Sequence, residues 1–123
     1  SESNSVLSDC LIMEVNVRNV EDVIILDFSG VWEREDSAET SRSMRHLLDL
    51  GYRCIILNFS DIGMLPRKAV SLIHSFYRDA EKQGCRVRIV APSTQVRGML
   101  RSGGFLGSTD VYRDEIEALK GFR

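Results

Sequence analysis

Apolar residues first recur at every second position. Over residues 11–18, Leu11, Met13, Val15 and Val17 share one side of an extended chain, the period of a strand with one buried face, expected as an edge or outer strand. A turn-like stretch at residues 18–22 leads into Val23-Ile24-Ile25-Leu26, so the first two strands are expected to form an antiparallel hairpin, with Gly30 ending the second. The period then lengthens. Asp36 followed three residues later by Glu39 resembles a capping pair, and Met44, Leu47 and Leu48 recur at helical spacing until Gly51 stops the helix.

A continuous apolar run, Cys54-Ile55-Ile56-Leu57-Asn58-Phe59, follows and suits a central strand covered by other elements. Beyond it, Ala69, Leu72, Ile73, Phe76 and Ala80 fall on one helical stripe, with Pro66 in the first turn and Gly84 as the stop. Val87, Ile89 and Val90 predict a fourth strand. Ser93 can cap a helix that presents Val96, Met99 and Leu100 and ends at Gly103-Gly104. Val111-Tyr112 predicts a last short strand, and Asp114 starts a C-terminal helix with Ile116 and Leu119 inward.

Strand and helix alternate from Gly30 onward without a break in composition, which implies one sheet with parallel crossovers. The expected fold is therefore α/β: a single domain with a mixed, mostly parallel sheet of about five strands and about four helices. The polar residues 1–8 are expected to stand outside it as a disordered segment or tag remnant, leaving 9–123 as the domain.

Composition narrows the function classes. The 123 residues carry 16 Lys and Arg against 18 Asp and Glu, a net charge of −2 that offers no strong field for nucleic acid or an acidic membrane. No stretch reaches the ~18 consecutive apolar residues of a membrane span, and the start lacks the basic and apolar segments of a secretory signal. Cys10, Cys54 and Cys85 are odd in number and widely spaced, which fits reduced thiols in a cytoplasmic protein.

Catalytic and metal chemistry find little support. His46 and His74 have no ligand partner at metal-site spacing, and Cys54 and Cys85 sit among apolar strand residues with no activating base in view. Arg101-Ser102-Gly103-Gly104 lies at a helix end, where it cannot cradle phosphate as a glycine-rich helix start does. Asp27, Glu33, Glu35 and Asp36 read as a solvated face or helix caps. No enzyme activity, cofactor or metal is expected.

The order of elements and several local stretches resemble the STAS domain family, which includes bacterial anti-sigma factor antagonists. The resemblance rests on Phe28-Ser29-Gly30, on the run from Ile55 through Asn58-Phe59-Ser60-Asp61-Ile62, on Gly84-Cys85-Arg86-Val87-Arg88-Ile89-Val90, and on Val96 with Leu100. It implies a non-catalytic regulatory domain that binds a protein partner, such as an anti-sigma factor kinase, through the loop before the second helix and that helix's start. In the family, an Asp-Ser-Ser-Gly or Asp-Thr-Ser-Gly turn there supplies a phosphorylated hydroxyl. In this chain the matching positions are Pro66-Arg67-Lys68-Ala69, so Arg67 stands where the hydroxyl would be.

The expected contact face is thus Met64, Leu65, Pro66, Arg67 and Lys68, with Trp32 and Glu33 beside it; the alternative is that Met64 and Leu65, Leu65 above all, plug the sheet end and that Trp32 is partly buried packing. Cations at a helix start oppose the macrodipole by roughly 0.3–1 kcal/mol each. They read either as a contact for an acidic partner or as solvated charges tolerated by a well-packed helix. Ser60 and Ser71 flank the loop as alternative hydroxyls. Two rival readings stand beside this one: a subunit or domain of a larger signalling or transport complex, including self-assembly, and a small-ligand domain using the cleft at the sheet end.

Overall fold

The computed structural model describes residues 13–33, 35–103 and 110–122. Its elements run β1 (Glu14–Val20), β2 (Val23–Ser29), α1 (Asp36–Asp49), β3 (Cys54–Asp61), α2 (Arg67–Lys82), β4 (Arg86–Val90), α3 (Thr94–Ser102), β5 (Val111–Tyr112) and α4 (Glu115–Lys120). The five strands form one sheet in sequence order. β1 pairs antiparallel with β2 as the predicted hairpin, and every later pairing is parallel. The expected fold class is the observed one. Residues 1–12, which include Leu11, Cys10 and the proposed leading segment, lie outside the described residues, as does Gly104.

Strands that follow one another in sequence order, joined by right-handed crossovers, place their helices on one face. The side chains agree. Ile24, Leu26 and Phe28 of β2, Ile55, Leu57 and Phe59 of β3, and Val87 and Ile89 of β4 join Met44 and Leu48 of α1, Ile73 and Phe76 of α2, and Val96 and Leu100 of α3 in one core. The alternate residues Val23, Ile25, Ile56 and Val90 turn to the other face, where Ala118 of α4 covers them. β3 is therefore buried on both sides, which is why its run is apolar without alternation. Each fully buried Ile, Leu or Phe there contributes about 1.5–3 kcal/mol.

The helix ends follow local chemistry. Ser93 Oγ accepts from the Val96 N–H at 3.3 Å, and Asp114 Oδ1 accepts from the Glu117 N–H at 2.8 Å, so both predicted caps form. α1 and α2 stop at Gly51 and Gly84, whose φ values of 89° and 79° lie in the left-handed region. In each, the two residues after the C-cap donate back to the helix: Gly51 to Leu48 and Tyr52 to Leu47, Gly84 to Glu81 and Cys85 to Ala80.

Four local expectations are corrected. Met13, Val15 and Val17 were expected to face a core, yet Val15 and Val17 are 41% and 53% exposed, because β1 is the sheet's outer strand and projects past the cover of α1. Asp36 is not the N-cap: Glu35 holds that place, and the Asp36 carboxylate instead accepts the Glu33 N–H at 2.8 Å. Pro66 is the N-cap of α2 rather than part of its first turn. Ile116 points outward, 67% exposed, while Ala118 takes the buried position on α4. Arg86 and Arg88 lie over the Phe122 ring and bond the Gly121 carbonyl, tying that end of the chain to β4.

Candidate functional site

Parallel pairing of β2 with β3, ending in Ser29 opposite Asp61, brings the loops after both strands to the same edge of the sheet. That edge carries the candidate site. Beyond β3 the chain turns through an Ile62 N–H to Phe59 carbonyl bond of 3.1 Å. Ile62 and Leu65 then drop into the core, 2% and 3% exposed, and the Leu65 N–H points at Met99 Sδ on α3, 3.4 Å away. With both flanking apolar residues anchored, Met64 is left at the tip, 60% exposed.

Pro66 then turns the chain into α2. The helix opens with Arg67 and Lys68, both exposed, no acidic residue in its first turn and no side-chain cap. α2 rises as a ridge between two grooves. One, of about 520 Å³, lies toward α3 and is lined by Leu65, Arg67, Val70, Ser71 and Met99. The other, of about 360 Å³, lies toward α1 and is lined by Ser37, Ser41, Arg45, Lys68 and Ser75. Ser71 borders both.

Of the seven residues expected at this face, five are accessible: Glu33, Met64, Pro66, Arg67 and Lys68. Two are not. Trp32 is 3% exposed, its ring stacked on Phe28 at 5.5 Å and tilted against Phe59 at 6.4 Å, with Nε1 donating to Ser37 Oγ at 3.2 Å. Its indole belongs to the core beneath the loops, since so large an apolar ring finds more contact there than at a polar edge. Leu65 likewise anchors the loop from below. Ser60 Oγ donates to Asn58 Oδ1 at 2.5 Å, closing a local turn, whereas Ser71 is exposed.

Sequence reading missed the grooves and the residues of α1 and α3 that line them, notably Ser41, Arg45 and Met99. Helical spacing could have placed Ser41 and Arg45 on one face of α1, but only tertiary packing sets that face beside α2. Chemically the site offers an apolar tip, cations and hydroxyls at a helix start. Among the described residues no group of three His, Cys, Asp or Glu side chains is gathered for a metal ion. Burial pushes the Cys85 thiol up to about 11, which keeps it neutral and unreactive near neutrality.

A STAS domain family model matches residues 14–118, nearly the whole described chain. The chain belongs to the STAS domain family. Among solved structures, a Thermotoga maritima protein assigned as an anti-sigma factor antagonist superposes with a TM-score of 0.79 at 20% identity, over 87% of this chain and 92% of that one. The anti-sigma factor antagonist SpoIIAA in its unphosphorylated form gives 0.75 at 18% identity, over 89% and 96%. A murine solute carrier 26 family anion transporter gives 0.71 at 12% identity, over 98% of this chain and 24% of the transporter. No curated protein sequence matches the chain. At these identities the structures establish a shared STAS fold. No described helix of this STAS domain is long and apolar enough to cross a membrane.

Proposed function

We propose that this STAS domain is a non-catalytic regulatory module of the anti-sigma factor antagonist type, acting by partner switching. Its contact face is the tip at Met64 and the start of α2 at Pro66, Arg67 and Lys68, with Glu33 alongside. The observation that carries the reading is the loop's division of labour: Ile62 and Leu65 are buried while Met64 between them is 60% exposed, three residues before the first of two exposed cations. An apolar residue held out by anchored neighbours and rimmed by charge is what a protein contact uses.

Arg67 stands at the position matching the family phosphoacceptor. It has no hydroxyl, and its charge is opposite to that of a phosphate. In this reading binding is not switched off at that position, and the partner presents acidic groups to the cations. The likeness to SpoIIAA, solved in phosphorylated and unphosphorylated forms, makes an anti-sigma factor kinase the first partner to seek. The likeness to a transporter's domain favours a second reading, a STAS subunit within a larger complex.

Affinity capture from the source cell's lysate, with retained proteins identified by mass spectrometry, separates the two. Recovery of a kinase-like anti-sigma factor is the expected result. Recovery of transporter or scaffold components instead, or of no specific protein, overturns the antagonist reading.

A further inference from the structure

β1 ends the sheet with a seven-residue strand that no other strand covers among the described residues. An open strand edge presents unpaired backbone donors and acceptors, and proteins ordinarily blunt it with proline, charged side chains, a bulge or a short length. β1 has no proline and no bulge: it reads Glu-Val-Asn-Val-Arg-Asn-Val, pairs with β2 in unbroken register from Glu14 opposite Ser29 to Val20 opposite Val23, and carries charge only at Glu14 and Arg18, which are opposite in sign. The opposite edge, β5, has only two residues.

The exposed edge is also apolar on one face. Val15 and Val17 are 41% and 53% exposed and border a groove of about 340 Å³ between the sheet and α1, floored by Leu26, Phe28 and Met44. The other face carries Glu14, Asn16 and Arg18. There the Arg18 guanidinium bonds Asp27 and Glu115 of its own chain.

We propose that this edge pairs with β1 of a second copy of the chain, antiparallel about a two-fold axis at Asn16. The strand is self-complementary in that register. Glu14 falls opposite Arg18 of the second copy, Val15 opposite Val17, and Asn16 opposite Asn16, so the pairs over residues 14–18 match in charge or polarity, while Asn19 falls opposite Met13 just before the strand. A shift that centres the pairing on Val17 loses the match, setting Glu14 against Val20 and Val15 against Asn19. Opposite charges and β-branched pairs directly across strands are favourable. A two-fold axis normal to the sheet keeps both α1 helices on one face, so the two apolar grooves open toward the same seam and four valines close it. The result is a continuous ten-stranded sheet, joined as in strand addition. The partner face at α2 is not used.

Mass by light scattering and sedimentation tests this across a concentration series to about 100 μM, a range that reaches weak dimers. The native chain is expected at twice its 13.9 kDa mass at high concentration. Glu14→Lys, which sets Lys against Arg18, and Val17→Lys, which puts a charge on the exposed apolar edge, are expected to be monomeric, with native circular dichroism showing that they fold.

A second measurement reads the register. In a Cys10→Ser, Cys54→Ser background, Asn16→Cys is expected to form a disulfide-linked dimer under mild oxidation, because opposed residues lie within about 5.5 Å. Asn19→Cys is not, since its two copies would stand roughly 20 Å apart, six residues along the strand. A native chain that stays monomeric at every concentration overturns the proposal. So does a dimer that survives both lysine variants and leaves Asn16→Cys unlinked.

Discussion

The start of α2 differs from the starts of α3 and α4. α3 is capped by Ser93 and α4 by Asp114, each side chain accepting a backbone N–H of the first turn, and α4 adds Glu115 and Glu117 where the helix dipole favours acids. α2, the longest helix and the one packed deepest through Ala69, Ile73, Phe76 and Ala80, opens on Pro66 without a side-chain cap and places Arg67 and Lys68 where cations are disfavoured. Stability does not account for that choice. α3 and α4 begin as folding rules prefer, while α2 begins uncapped, with its cations and the apolar tip before them exposed. A strongly packed helix tolerates such a start, and a contact surface gives a reason for it.

The largest effect expected around that contrast lies beneath it. Trp32→Ala should cost about 3–5 kcal/mol, read as a lower midpoint in urea, whereas Met64→Ala should change stability by less than about 0.5 kcal/mol. Equal small effects would return Trp32 to the surface and undo the assignment of the loop's buried floor.

A smaller loss is expected at the polar cluster on the opposite face. There Arg18 and Asn58 both bond Asp27, and the Arg18 guanidinium holds the Asp27 carboxyl below the usual range, with burial opposing it. A depressed carboxyl stabilises the fold above its unfolded value, near 3.9, and loses that contribution as pH falls through the folded value. Asp27→Asn should cost about 1–2 kcal/mol at neutral pH, toward the low end because the Arg18 side chain is 38% exposed. It should also flatten the fall in stability below about pH 4. Acid titrations of urea midpoints for both proteins measure this, and parallel curves would remove Asp27 as the cause.

The caps come next. Ser93→Ala and Asp114→Ala should each cost about 1 kcal/mol, measured by thermal unfolding. If neither moves the midpoint, the contrast with α2 loses its energetic basis.

Much of this was legible in the sequence, because local rules and tertiary packing agree at most elements. The apolar run of β3, the stripe on α2, the caps Ser93 and Asp114 and the stops at Gly51 and Gly84 each announce themselves through period or turn chemistry. The exceptions are physical. Alternation in β1 says which residues share a face and says nothing of whether a helix covers it, so Val15 and Val17 read as core though they are exposed. α4 is six residues long, too short for its period to tell Ile116 from Ala118.

At the site, the sequence placed the loop and the cations of α2, and five of the seven named residues are accessible. For Trp32 and Leu65 it offered packing as the alternative to contact, because an aromatic or leucine in a loop looks alike whether it anchors the loop or forms its tip, and the structure takes packing for both. The flanking grooves depend on how α1, α2 and α3 pack, which no local pattern encodes.

The one stability effect of opposite sign accompanies the most telling functional one. Replacing Arg67 and Lys68 together by Glu converts the start of α2 into one the dipole favours, so the variant should unfold later than the native chain, by roughly 0.3–1 kcal/mol per charge. The same change should repel an acidic partner. The decisive measurement pairs the two readouts on one double variant: urea unfolding, and quantitative capture of the protein that the native chain retains. Stability that holds or rises while capture falls at least ten-fold is the predicted result. Capture at the native level by a variant of equal or greater stability would contradict it and leave Arg67 and Lys68 as solvated charges on a well-packed helix.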